Sequence, residues 1–423
     1  MSLSDPVRPG HQPAPHLVIR SQPVDGVSDR LMDHLPETGG LAWVRRGDGH
    51  VGWGVAARLD VAGSNRFDEA QAWWKALVAA AVVRDEVGVP GSGLLCFGSF
   101  GFTDDDPSEL VVPEVIVGRR GGTTWVTTIS PASSLATPPE LVRYEPEPVG
   151  EVAFADGARS GTAWSGIVAD AVTRITSGEL DKVVLARDLI AMASRPIDLR
   201  WPLRQLAAAY PNCWTFSVDG LIGATPELLV RREKGLITSR VLAGTIRRTG
   251  DDAHDLALAA SLARSSKDLE EHEFAVRSVA DALKSHCKSM NVPETPFVLH
   301  LPNVMHLASD VAGVAANGAS ALGLAAALHP SAAVCGTPTN VARDLIGESE
   351  GMSRGRFSGP VGWMDAAGDG EWCIALRCGQ ADPFDPTRMR LFAGAGIVAG
   401  SDPEAELAET NAKLVPMRDA LGD

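Results

Sequence analysis

The side chains best suited to chemistry fall in two acidic runs and around one lysine and one glutamate. In SSKDLEEHEF, residues 265–274, Asp268 and Glu271 are three apart, so a helix would put them on one face. In DPEAELAETNAKL, residues 402–414, Glu406, Glu409 and Lys413 follow at spacings of three and four, again on one face. Where two such helices meet, their carboxylates offer hard oxygen ligands to a divalent cation. Crowded carboxylates also need a cation or a proton to be tolerated. The same spacing describes an ordinary solvated helix face, and spacing alone leaves both readings open.

Lys182 opens DKVVLARD. In a strand, Lys182, Val184 and Ala186 point one way and Val183, Leu185 and Arg187 the other. A lysine on a face with valine and alanine either snorkels at an edge or enters a pocket. A buried amine loses proton affinity and can then serve as a general base. Glu227 sits in GATPELLVRR, next to the apolar Leu228-Leu229-Val230. A carboxyl against an apolar strand keeps its proton and can act as an acid; a glutamate at a sheet edge has the same signature. His306 lies between Met305 and Leu307, where a buried packing histidine and a pocket histidine look alike. His329 and Pro330 close an alanine-rich helix, a capping or packing position. No HExxH motif or histidine-rich zinc cluster is present.

The run Gly394-Ala395-Gly396-Ile397-Val398-Ala399-Gly400 invites a dinucleotide-binding reading. That fingerprint belongs in a strand–turn–helix unit with an acidic residue about twenty positions on. Too little sequence follows this run for such a unit, so we expect a turn whose amides could hold a carboxylate near the start of the last helix. No Walker sequence is present. Arg354-Gly355-Arg356-Phe357-Ser358-Gly359-Pro360 pairs two basic residues with a flexible segment, either the lining of an anion site or an ordinary loop.

These residues need elements to position them. Residues 1–20 look like a loose tail. Leu41 to Val61 reads as a hairpin turning at Gly47-Asp48-Gly49, with Trp43 and Trp53 as core anchors. Phe67 to Val83 reads as a helix with Phe67, Ala70, Trp74, Leu77 and Val78 on its apolar face. Leu94 to Phe102 is strand-like, and Val112–Val117 and Thr123–Ile129 form a hairpin across Gly121-Gly122. The proline-rich stretch Pro131 to Pro148 is a connector. Beyond it the pattern predicts helices at about 164–176, 203–210, 252–284, 318–328 and 403–420. Strands are expected at 182–186, 215–218 with its hairpin partner from Gly223, 360–364, 371–377 and 389–393. Irregular alternation with recurring hairpins indicates an α+β fold with large, mainly antiparallel or mixed sheets.

The 423 residues are 45% hydrophobic, enough for a large core. A formal charge of −15 argues against a nucleic-acid partner, which would demand clustered Lys and Arg. The N-terminal MSLSDPVRPGHQPAPH lacks a basic stretch followed by an apolar run, so it is not expected to act as a secretion signal, and the longest apolar runs, such as 78–83 and 322–328, are too short to span a bilayer. A cytoplasmic, monomeric protein is expected. None of the six cysteines forms a CxxC pair, so free structural thiols are expected.

Taken together, the segments DKVVLARD, ATPELLV, LAGTIRR, KDLEEHEF, NVMHLASD, LHPSAAVCGTP, RGRFSGPVGW, EWCIALRC, RLFAGAGIV and ELAETNAKL resemble the chorismate-utilising enzymes in family order. The resemblance spans roughly Ala163 to Leu421. It implies one large domain over 21–423, with a divergent part at 21–150 and a motif-bearing core at 161–421. It also implies two large, mainly antiparallel sheets packed together, an α/β sandwich-like arrangement with helices outside. Lys182 resembles the base that activates water for attack at ring carbon 2, and Glu227 the acid that protonates the hydroxyl leaving carbon 4. Glu271 and Glu409 resemble direct Mg²⁺ ligands, with Asp268 and Glu406 as a second pair linked to the metal through water. Arg377 and Lys413 look like partners of substrate carboxylates, and His306 like the pocket histidine. Gly244 and Thr245, and Gly394, Ala395 and Gly396, resemble contacts to the substrate chorismate.

Within that family, relatives that make aminodeoxychorismate commonly carry a nucleophilic lysine where this chain has Ala243, and amine-forming members usually lack the lysine held here by Lys182. Both features favour water as nucleophile. The C-terminal half, notably MHLAS and EWCIALRC, is most similar to isochorismate synthase. Salicylate synthase and a catalytically silent chorismate-binding relative are the alternatives. Menaquinone and siderophore pathways are both compatible with this reading.

Overall fold

The computed structural model describes residues 15–28, 30–133, 139–316 and 318–422. Its frame is two sheets. A thirteen-stranded sheet contains, among others, Lys182–Ala193, Arg388–Ile397, Cys378–Ala381, Leu221–Thr225, Trp214–Val218 and Leu41–Arg45 as successive neighbours. A ten-stranded sheet contains Val304–Ala315, Leu236–Arg247, Leu228–Glu233, Gly370–Ile374, Pro360–Asp365 and Leu95–Ser99 as successive neighbours. Leu17–Pro23 pairs in parallel with Val82–Asp85, and the other described pairings are antiparallel. In each sheet the strands from before residue 132 form one end and the later strands the other, joined where Leu41–Arg45 pairs with Trp214–Val218 and where Leu95–Ser99 pairs with Pro360–Asp365.

The period-2 alternation of the strands explains the packing. Val183 and Leu185 are fully buried in the main apolar core, together with Phe97, Phe100, Trp214 and Trp372. A second core, with Leu189, Leu203, Leu206, Met389, Leu391 and Leu414, holds helices against the far side of the larger sheet. Two helices matter most for the site. Ser266–Leu283 packs on the strands 236–247 and 304–315, and Pro403–Leu421 packs on the strand 388–397. Each carboxylate-bearing helix therefore lies against a different sheet.

Both helices are fixed by their ends. Asp402 caps the last helix by accepting from the Ala405 amide at 2.9 Å, Pro403 stands in the first turn, and Gly422 ends it with φ of 101°. Pro416 lies inside that helix and has no N–H to offer the Ala412 carbonyl. The Asn303 side-chain amide donates to that carbonyl instead, at 3.0 Å. The other helix begins at Ser265, whose hydroxyl accepts from the Asp268 amide at 3.3 Å.

Several expectations need correction. The loose tail is too long as drawn: Leu17–Pro23 is a strand with Leu17 and Ile19 buried, while residues 1–14 lie outside the described residues. The hairpin Leu41–Arg45/Asp48–Trp53 is present, but Ala57–Val61 leaves it for the other sheet. The helix expected to reach Val83 stops at Ala80, and β-branched Val82 and Val83 start a short strand. The single helix expected over 252–284 is two, Asp252–Leu262 and Ser266–Leu283, because Ser265 starts a new N-terminus. The strand expected to reach Arg377 ends at Ile374. The turn expected in the run 394–400 is confined to 399–400, just before the last helix, and 394–397 is not part of it. Residues 394–397 are the end of the strand Arg388–Ile397 and pair antiparallel with Val183 to Ala186. All six cysteines are free. Among the described residues, no helix is long and apolar enough to cross a membrane.

Losing the Ser265 cap strands an amide at the start of the helix that carries Asp268 and Glu271. Ser265→Ala is expected to lower unfolding free energy by about 1 kcal/mol, read from the shift of the urea denaturation midpoint at constant slope.

Candidate active site

A cavity of about 140 Å³ opens between the sheets and is walled by both carboxylate helices. Lys182, Val184 and Ala186 all face it, so the alternation expected from DKVVLARD holds. Asp268 and Glu271 enter from one helix, and Glu406, Glu409 and Lys413 from the other. Glu227, Gly244, Thr245, His306, Arg377, Gly394 and Gly396 complete the expected set. Ala395 is the exception: its side chain is fully buried in the main core, because neighbours in a strand point to opposite faces.

The charged groups are held by one another. The Lys182 amine is 2% exposed and donates to Glu271 Oε1 at 3.0 Å. Lys413 Nζ donates to the Gly394 carbonyl at 2.9 Å and pairs with Glu409 Oε1 at 2.6 Å. Burial pushes the Glu227 carboxyl up to about 7, against the opposing pull of Lys182, Lys413, the Leu242 amide and Arg377. Desolvation thus outweighs these pulls, and the carboxyl keeps its proton below a pH of about 7.

Local backbone irregularities aim several of these side chains. The pairing of 236–247 with 304–315 slips by one residue between Leu242 and Thr245. Gly244 sits in this bulge with φ of 82°, and a Cβ there would stand 3.0 Å from the Asp268 side chain. The bulge turns Thr245 toward His306, whose Nδ1 lies 3.0 Å from Thr245 Oγ1. His306 Nε2 accepts from the Arg377 guanidinium at 3.3 Å, which puts the ring proton on Nδ1. Burial, then Arg377 and Lys413, hold His306 well below the usual histidine range, so the imidazole is neutral. Arg377 itself has a left-handed φ of 49°, a cost of about 1–3 kcal/mol for a side-chain-bearing residue. Backbone strain is spent here on directing a guanidinium inward.

Some contributors were not singled out from sequence. Phe357 and Phe392 stack at 5.1 Å and form an apolar wall of the cavity. Both stand in quoted segments, but nothing in their spacing marked them. His272 follows Glu271 and links the Ala243 carbonyl to the Ser309 hydroxyl, pinning the helix to the bulge. Arg354 and Arg356, open candidates for an anion site, are occupied otherwise. Arg354 clamps Glu350 and the carbonyls of Val184 and Val334, while Arg356 holds Glu109, Gln380 and the carbonyls of Val218 and Asp219.

The four carboxylates are a set of hard oxygen donors suited to a cation of the Mg²⁺ class. Among the described residues, no three His, Cys, Asp or Glu side chains converge closely enough to enclose an ion unaided.

Comparison with known proteins agrees with this geometry. The family profile described as chorismate binding enzyme matches residues 42–422. The chain belongs to that family. Isochorismate synthase DhbC of Bacillus subtilis is 43% identical over 267 residues, which cover 60% of this chorismate binding enzyme and 66% of the relative, just under two thirds of its length. A salicylate biosynthesis isochorismate synthase of Pseudomonas aeruginosa is 33% identical over 417 residues, 90% of this chain and 84% of that one. The solved structure of MenF, the menaquinone-specific isochorismate synthase from Escherichia coli, aligns with a TM-score of 0.80 at 26% identity, over 96% of this chain and 95% of that one. Two large, mainly antiparallel sheets with helices outside are the shared fold.

Close packing makes one position of the chorismate binding enzyme testable. A Cβ at Gly396 would come within 2.7 Å of Glu271 Oε1 and 3.2 Å of Lys182 Cε. Gly396→Ala is expected to displace both groups and cut kcat/KM about ten- to a hundredfold, the equivalent of roughly 1–3 kcal/mol of overpacking. Steady-state kinetics beside a thermal melt checks this; parent-like kcat/KM would contradict the packing argument.

Proposed function

We propose that the protein is an isochorismate synthase, converting chorismate reversibly to isochorismate by adding water at ring carbon 2 and expelling the hydroxyl at carbon 4. The observation that carries this is a buried amine, Lys182, and a buried, proton-retaining carboxyl, Glu227, lining one cavity with four further carboxylates. The similarity to named isochorismate synthases supports the same reading.

In this mechanism Lys182 takes a proton from the water that bonds to carbon 2. The ring double bonds shift, the bond from carbon 4 to its hydroxyl breaks, and Glu227 supplies the proton with which that hydroxyl departs as water. One water enters and one leaves, so no electrons are exchanged with a cofactor. Arg377 and Lys413 pair with the substrate carboxylates, and neutral His306 steadies Arg377 while bordering the ring. Gly244, Thr245, Gly394 and Gly396 shape the pocket, and Phe357 with Phe392 excludes water from the apolar side. Ala243 offers no nucleophile, leaving water to attack.

Charge explains the need for a cation. Asp268, Glu271, Glu406 and Glu409 outnumber Lys413 and Arg377, and the substrate brings two more carboxylates. We assign Glu271 and Glu409 as Mg²⁺ ligands, with Asp268 and Glu406 beside them. The ion would neutralise charge and fix a substrate carboxylate.

The deciding experiment incubates the protein with chorismate and Mg²⁺, without ammonia, and identifies the products. Isochorismate without pyruvate is expected; salicylate with pyruvate would assign the chain to salicylate synthesis, and unchanged chorismate would remove the proposal. Glu271→Gln or Glu409→Gln is expected to lower kcat/KM by about a hundredfold or more, near 3 kcal/mol, and chelation of divalent ions should silence the parent. Because the Glu227 carboxyl is pushed up to about 7, its proton is present below that pH and lost above it. The kcat/KM profile of the parent should therefore fall through a midpoint near 7 as pH rises. Glu227→Gln should be slow and lack this limb.

A further inference from the structure

The chain passes from the larger sheet to the smaller between Leu221–Thr225 and Leu228–Glu233, and it passes back between Gly370–Ile374 and Cys378–Ala381. Glu227 lies on the first passage and Arg377 on the second. The two passages run side by side in one antiparallel register, since Gly223 pairs with Cys378 and Leu228 with Cys373. Ala224 N donates to the Arg377 carbonyl at 3.2 Å, and Ile374 N to the Glu227 carbonyl at 3.1 Å. The register makes Glu227 and Ile374 opposite residues, which in an ordinary ladder would exchange two backbone bonds. Only one is made directly. Thr225 stands in the other: its Oγ1 accepts from the Glu227 amide at 3.3 Å and donates to the Ile374 carbonyl at 2.7 Å. Thr225 has no measurable exposure, so no water can replace that hydroxyl without rearrangement.

We propose that Thr225 is a positioning residue for the reaction, its hydroxyl inserted between Glu227 and Ile374 so that the acid is aimed into the cavity at a fixed offset from Arg377. This rests on the reading of Glu227 as the general acid. Pro226 has no amide with which to tie the neighbouring position to the strand beside it. With the inserted hydroxyl gone, Glu227 and Ile374 are free to close toward a direct bond, which turns the residue that carries the acid. Thr225 touches no reacting atom.

The test compares Thr225→Val, which keeps the shape and removes the hydroxyl, with Thr225→Ser, which keeps the hydroxyl; Thr225→Ala serves if the valine variant does not fold. Each is examined by thermal melting and by kcat and KM for chorismate across pH. The expected result for Thr225→Val is a kcat about tenfold lower, with KM within about twofold, and a Glu227-dependent limb moved to lower pH as the carboxyl becomes less enclosed. Thr225→Ser should restore both the rate and the limb. A lowered melting temperature with kcat and the limb unmoved would overturn the proposal in favour of a purely structural role. Equal loss in the serine and valine variants would overturn it as well. A parent profile without any limb that Glu227→Gln abolishes would reject the acid assignment, and this inference with it.

Discussion

Charges that leave water must find partners of opposite sign, and this requirement organises the centre of the molecule. Lys182 is enclosed with Glu271, and Lys413 with Glu409, in one cavity that also holds Glu227, Arg377, Asp268 and Glu406. None of these groups would be stable there alone. Carboxylates outnumber the amines and guanidinium there, and burial raises the Glu227 carboxyl to about 7. The same desolvation that makes the site costly therefore lets a carboxyl retain its proton in a cavity shared with an amine.

Paying that cost needs a rigid frame, and the two sheets supply it. The cavity sits where strands of both sheets approach and where two helices, each packed on a different sheet, turn their acidic faces inward. The functional groups stand at irregularities of the frame. Gly244 occupies a bulge, Arg377 a left-handed position, and Glu227 a passage between sheets. Regular ladder geometry would direct these side chains along the pleat. Each departure redirects one of them, and the surrounding paired strands keep the departure from relaxing.

Much of this was legible in the residues. The alternation in DKVVLARD correctly put Lys182 with Val184 and Ala186, and the three- and four-residue spacings correctly put acidic pairs on helix faces. Those periods are properties of local backbone geometry, so they survive folding. The errors have a common cause. The glycine run at 394–400 looked like a turn because glycine permits turns, yet Gly394 and Gly396 are glycine inside a strand, where at Gly396 the crowding of Glu271 and Lys182 leaves no space for a Cβ. The helix expected across 252–284 broke at Ser265 because an N-cap outweighed a continuous apolar pattern. The paired basic residues of RGRFSGP looked available to a ligand, but Arg354 and Arg356 are consumed by carbonyls and carboxylates from remote segments.

By itself the sequence determined which residue types were present, which of them shared a strand or helix face, and which family pattern they followed, because all three are carried by identity and short-range spacing. Only the tertiary structure decided that two acidic faces meet across one cavity, that Phe357 stacks on Phe392, that Ala395 turns away, and that Thr225 lies between Glu227 and Ile374. Those facts depend on contacts between segments far apart in the chain, where each partner's position is set by the packing of two whole sheets and no local period records it.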